Sequence, residues 1–129
     1  MSEKKSVLGI LLQSNLPDMR KSLPERKVEI SRLSALVGEP VMFTLRGLTY
    51  DQVRRIMDKP TKEQAIYGVM YGCVDPIWKN APLDKEKGIA TQVDAAKAML
   101  LSGEVDDLYI EIQRLSGYLR RTLSDVKND

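Results

Sequence analysis

Helix start and stop signals follow one another so closely in this chain that no long helix can form. Thr49-Tyr50-Asp51-Gln52 has capping-box spacing: the Thr hydroxyl can accept from the third amide of the helix, and Gln52 can reach back to the cap amide. Tyr50, Val53, Ile56 and Met57 then fall at helical intervals, and Lys59-Pro60 stops the helix. Thr61-Lys62-Glu63-Gln64 reads as a second box of the same kind. Its helix is predicted to carry Ala65, Ile66, Val69, Met70, Cys73 and Val74 on one stripe, ending at Asp75-Pro76. An irregular connection over 75–90 holds Trp78. Thr91-Gln92-Val93-Asp94 starts a third helix, running to about Leu101 with Val93, Ala96, Met99 and Leu100 as its apolar side. Ser102-Gly103-Glu104 restarts the chain into a fourth, where Val105, Leu108, Tyr109, Ile112 and Leu115 make a strongly amphipathic pattern and Gly117 is a C-cap. Leu119, Leu123 and Val126 predict a last short helix that frays at Lys127-Asn128-Asp129.

The N-terminal third has a different period. In 26–33 the apolar residues Val28 and Ile30 alternate, with Leu33 joining after a bulge, as in a half-buried strand. Val41, Phe43 and Leu45 share one face of a second strand, while Met42, Thr44 and Arg46 share the other. Between the strands Ser34 can start a short helical turn that Gly38 and Pro40 end. Residues 1–24 form an arm, predicted to be mobile. In it Ser6 can cap a short helix through Leu12, with Val7, Leu8, Leu11 and Leu12 on one face, before Asn15-Leu16-Pro17-Asp18 breaks it. The arm is either a linker or a segment that orders on a partner. The expectation is a small, single α+β domain: a two-stranded antiparallel β-hairpin followed by four to five short helices over 25–118, with a frayed tail at 119–129.

Composition narrows the chemistry. The 129 residues are 43% hydrophobic and 29% charged, enough to bury a core, but only 5% aromatic, so aliphatic side chains and methionine must build it. Twenty basic and eighteen acidic residues (formal net charge +2) imply neither nucleic acid nor an anionic membrane as partner. With no histidine, His-dependent triads and the common zinc and haem sites are excluded. A single cysteine, Cys73, permits no intramolecular disulfide. The longest apolar run near the start, Val7–Leu12, is too short to span a bilayer, which needs about 20 residues, and lacks the form of a signal peptide. Localisation in the cytoplasm is therefore expected.

The remaining constellations give little chemistry. Asp107 and Glu111 share a helical face, yet no second acidic cluster or histidine supports a metal or acid–base site, and a solvated face explains them. Cys73 has no base to activate it and falls on the apolar stripe of its helix. Gly68 and Gly72 are spaced for close helix packing, and the glycines form no phosphate-binding loop. Arg54, Arg55, Lys59 and Lys62 surround two short helices in the manner of a helix-turn-helix, but the second helix is poor in base-reading side chains. Trp78 either closes one end of the core or anchors a partner.

In consistent order across residues 25–117, the chain resembles the XkdN-like tail assembly chaperones of long-tailed bacteriophages and prophages. The resemblance is carried by Phe43-Thr44-Leu45-Arg46-Gly47-Leu48-Thr49-Tyr50-Asp51, Gly72-Cys73-Val74-Asp75-Pro76, Lys87-Gly88-Ile89-Ala90-Thr91, Leu100-Leu101-Ser102-Gly103-Glu104-Val105 and Ile112-Gln113-Arg114-Leu115-Ser116-Gly117. Where the family often has a proline before the Gly-Glu of the restart, this chain has Ser102. The resemblance implies a non-enzymatic role without cofactors. The implied partner is the long, helical tape measure protein, bound transiently during virion morphogenesis. It also implies a second possible partner, a longer frameshifted form of the chain itself. For such a partner, adaptable apolar side chains are the candidate contacts: Met42, Met57, Tyr67, Met70, Tyr71, Trp78 and Met99. The rival readings are a structural tail component and a small DNA-binding regulator.

Overall fold

Strand alternation sets the sheet. In β2 (Met42–Arg46) Phe43 and Leu45 are buried while Met42 is exposed, so one face of the strand is core, as its period of two predicts. The computed structural model describes residues 6–119 and 121–126. β1 (Glu25–Glu29) pairs antiparallel with β2 along its whole length, from Glu25 opposite Arg46 to Glu29 opposite Met42. Val28 thus lies opposite Phe43 and Arg26 opposite Leu45, on the inner face.

The sheet has three strands, in the order β1-β2-β3, not two. The third, β3 (Cys73–Asp75), pairs antiparallel with the other edge of β2, with Leu45 opposite Cys73 and Thr44 opposite Asp75. Cys73 and Val74 continue a helical apolar stripe in sequence, but the helix before them stops at Gly72. A Cβ there would sit 2.5 Å from Ile112 Cδ1, so the helix meets its neighbour at close range, and the chain then turns extended to satisfy its backbone on β2.

Six α-helices are present among the described residues, more than the four to five expected. α3 (Tyr50–Met57), α4 (Thr61–Gly72), α5 (Gln92–Met99) and α6 (Ser102–Leu115) follow the first two strands as predicted. α2 (Ser31–Val37) fills the connection between those strands and α1 (Val7–Leu11) lies in the arm. Leu33 therefore belongs to a helix and not to a bulged strand. Ser34 starts nothing: its hydroxyl donates to Glu29 and accepts from the Val41 amide (2.8 Å each), tying both strand ends to α2. Two 3-10 turns, Trp78–Asn80 and Lys85–Lys87, occupy the irregular connection. The predicted last helix is absent among residues 121–126, and Leu119, Leu123 and Val126 are exposed. The expected fraying at 127–129 lies outside the described residues.

The caps test the local reading directly. Thr49 accepts from the Gln52 amide (3.2 Å) and Gln52 accepts from the Thr49 amide (3.0 Å), a complete box. Thr91 and Asp94 form another, at 3.1 Å in both directions. Ser6 caps α1 through the Gly9 amide at 2.9 Å. Thr61 does not cap. Pro60 takes that position and places Thr61 inside the first turn, and Gln64 donates instead to the Lys59 carbonyl at 3.1 Å. α6 closes in a Schellman motif: the Tyr118 amide bonds to the Gln113 carbonyl (2.9 Å) and the Gly117 amide to that of Arg114 (3.1 Å), with Gly117 at φ +97°.

The core gathers Leu45, Ile56, Val69 and Ile112, all fully buried, between the sheet and helices α3, α4 and α6. Gly68 and Gly72 bring α4 so near α6 that Tyr109 and Ile112 occupy the space a side chain would need. The GxxxG spacing serves close packing here, as expected. α6 is the hub, its Val105, Leu108 and Ile112 buried and its two flanks lying under different neighbours.

Candidate partner-binding site

The predicted contact residues do not come together. Met42, Met57 and Met99 are exposed, but on β2, at the end of α3 and at the end of α5 respectively. Tyr67, Met70 and Tyr71 on α4 are half-buried against the core. Trp78 is 6% exposed and packs edge-to-face on Phe43, with ring centroids 6.0 Å apart, so it closes one end of the core.

One flank of α6 is ionic. Arg26 Nη1 on β1 lies 2.6 Å from Glu111 Oε1, and Arg114 lies 3.6 Å from the other oxygen. Arg32, on α2, grips Glu104 with two bonds of 3.0 and 2.8 Å and also donates to the Met99 carbonyl at 2.8 Å. That fork holds the Glu104 carboxyl below its ordinary range, and the Leu101 amide, which donates to the same carboxylate at 2.7 Å, assists. Between these pairs lies a cleft of about 360 Å³ floored by Val28, Ile30, Leu45 and Leu108.

The other flank is aromatic. Two adjoining pockets of about 310 and 250 Å³ share Leu48, Val53, Ser116 and Tyr118 and form one groove between α3 and the C-terminal half of α6. Tyr50 and Arg54 stand one turn apart on α3. Arg54 donates to the Tyr50 hydroxyl at 2.7 Å, its guanidinium carbon lies 4.8 Å from that ring's centre, and Met57 sulfur is 3.9 Å from its other nitrogen. Tyr109, Gln64 and Gln113 complete the lining. Burial pushes the Tyr109 phenol up, and Tyr118 adds to the shift. The groove is held open by its frame. The Leu48 amide donates to Ser116 Oγ at 2.7 Å, and Gly47 lies so close to the Leu115 carbonyl that a Cβ would meet it at 2.5 Å.

Of the seven predicted residues only Met57 lines this groove. Tyr50 and Arg54 carried a readable signal, a tyrosine and an arginine at i and i+4, yet the helical pattern placed Tyr50 on the buried stripe, whereas it is 72% exposed. Tyr118 follows the helix-ending glycine and has no periodic signal at all.

The other candidate chemistries find no support in geometry. Cys73 sits on β3, half-buried, and desolvation pushes its thiol up to about 11, partly opposed by Trp78, so it is not a thiolate near neutral pH. Glu111 is engaged by two arginines, and Asp107 is exposed on the cleft rim. Among the described residues no three His, Cys, Asp or Glu side chains are grouped to hold a metal ion, and no helix is long and apolar enough to cross a membrane.

Comparison with known proteins adds the family. The model described as Phage XkdN-like tail assembly chaperone protein matches residues 10–128, reaching further into the arm and tail than the resemblance over 25–117. Among solved structures, the crystal structure of the protein YqbN, a structural genomics target, is similar with a TM-score of 0.55, covering 75% of this chain and 89% of that one. At 18% identity that likeness is one of fold. No curated protein matches.

Proposed function

We propose, since this chain belongs to the XkdN-like tail assembly chaperones of phages, that it binds the tape measure protein while a tail is being built and leaves before the tail is finished. The role is non-enzymatic and is played in the host cytoplasm. The family match over 10–128 is the observation that carries this reading. A long helical protein with an apolar face aggregates if left bare, and a chaperone for it must offer apolar surface that adapts to changing sequence. Exposed Met42, Met57 and Met99 are suited to that task by their flexible thioethers. In this reading Tyr67, Met70, Tyr71 and Trp78 contribute from below, as the packed support of α4 and of the sheet.

The test is a pull-down of the tagged protein from induced lysogens, read by mass spectrometry beside purified particles. Enrichment of one long helical tail protein, with this chain missing from finished virions, is the expected result. Persistence of the chain in finished particles would make it a structural tail component instead.

A further inference from the structure

The groove between α3 and α6 carries one cation, Arg54, and no carboxylate in its lining. Arg54 makes no ion pair among the described residues, unlike Arg26, Arg32 and Arg114 on the far flank of the same helix. Its guanidinium is hydrogen-bonded only to neutral groups of its own helix, the Tyr50 hydroxyl and Met57 sulfur; the Asp58 carboxylate acts on it through space without pairing, which leaves donors of a planar fork free for a carboxylate. Around it stand three of the five tyrosines of the chain, Tyr50, Tyr109 and Tyr118. Tyrosine and arginine are the side chains that most often dominate an interface, because they bury much area for little lost freedom.

We propose that this groove receives an amphipathic α-helix of the client protein, its apolar face on Tyr50, Met57 and Tyr118 and an Asp or Glu at the edge of that face paired with Arg54. The proposal rests on the chaperone reading and adds to it the surface and the charge of the recognised segment. Charge complementarity selects this occupant: an uncharged rim of Gln64, Gln113 and Ser116 repels no acidic helix, whereas a basic one would meet Arg54 with no carboxylate in the groove lining to offset it. A fixed frame means little ordering cost on binding, since α3 is capped by Thr49 and tied to α6 through Leu48 and Ser116.

The experiment places the photocrosslinker p-benzoylphenylalanine at position 50, and separately at 42 on the sheet and 8 on α1, in the full chain expressed in an induced lysogen. Crosslinked peptides are identified by mass spectrometry. From position 50 the expected product is a long helical tail protein, joined through a segment with an apolar stripe bordered by Asp or Glu. Arg54→Glu, checked for unchanged melting, should cut that product at least tenfold, and Arg54→Lys should keep part of it. The same protein joined only through 42 or 8 overturns the groove while leaving the chaperone reading intact. No tail protein joined from any position overturns both. A product from position 50 joined to a second copy, or to this chain's own residues beyond Tyr118, overturns the proposal by naming another occupant. An undiminished product in Arg54→Glu removes the acidic pairing.

Discussion

On one flank of α6, Arg26 and Arg32 reach over from β1 and α2 to Glu111 and Glu104, so both glutamates of the cleft that α6 supplies are paired within the chain, while Asp107 stays exposed on the rim. On the other flank Tyr50, Arg54, Met57 and Tyr118 face an open groove, and its single charge is hydrogen-bonded only to neutral groups, with the Asp58 carboxylate nearby but not paired to it. The same 14-residue helix separates the two. A flank that satisfies its own polar groups gains nothing from a visitor, because any new contact must first break an old one. A flank with unfilled donors and exposed aromatic area gains from being covered. The ionic side therefore ties β1 and α2 to α6, and the aromatic side is the one that, in our proposal, receives a partner.

The largest expected effect strikes the seam that both flanks share. Ile112 is fully buried under Gly72, and Ile112→Ala should cost about 2–5 kcal/mol in urea unfolding, loosening both sides at once. A cost below 1 kcal/mol would mean that the α4–α6 contact is not the hub. A smaller effect separates two sequence-alike caps. Thr49→Ala, which removes a formed box at the start of the aromatic flank, should cost about 0.5–2 kcal/mol, while Thr61→Ala should leave thermal melting nearly unchanged. Equal losses in the two variants would contradict the position of Pro60 as the cap.

The ionic flank should also betray itself in acid. The Glu104 carboxyl titrates below its ordinary value of 4.5 in the folded chain because Arg32 and the Leu101 amide favour the charged form. A depressed carboxyl contributes stability that is present above the unfolded value and is lost as pH falls through the folded one. Denaturation followed from pH 6 to pH 3 should show that loss, and Glu104→Gln should flatten the curve. An identical acid slope in both proteins would show that the Arg32 fork is broken in solution. The smallest stability effect is expected from Arg54→Glu, whose melting should match the parent although partner capture falls. A marked drop in melting would turn the aromatic flank into another structural one.

The legibility of this chain follows the range of each interaction. Val105, Leu108 and Ile112 were readable as a buried stripe because helical periodicity maps sequence onto one face, and the alternation of Phe43 and Leu45 did the same for β2. The three residues of β3 were not readable. Cys73 and Val74 extend the apolar rhythm of α4, and what makes them a strand is the free edge of β2, close to thirty residues away in the chain. The tail shows the opposite failure: Leu119, Leu123 and Val126 have helical spacing, yet with no described surface beneath them the pattern has nothing to bury. The groove escaped for a related reason. Its walls come from residues near 50 and residues near 115, and methionine content points to adaptable surfaces without saying which methionines share one.

Taken by itself, the sequence determined the starts of α3 and α5, the glycine end of α6, the inward face of β2, the absence of any histidine chemistry and the family resemblance that the match over 10–128 confirms. These depend on groups two to four residues apart, on the residue types present, or on the order of short motifs along the chain. Only the tertiary structure decided that Trp78 is core, that Cys73 is on a strand, that Thr61 is no cap, and that Tyr50 with Arg54 opens onto a groove while Arg26 and Arg32 close a cleft. For most of these the physical reason is distance along the chain: a face is buried or free according to what another segment lays over it, and α6, packed on α4 and β2, meets β1 and α2 through ion pairs on one side and only the rim of α3 on the other.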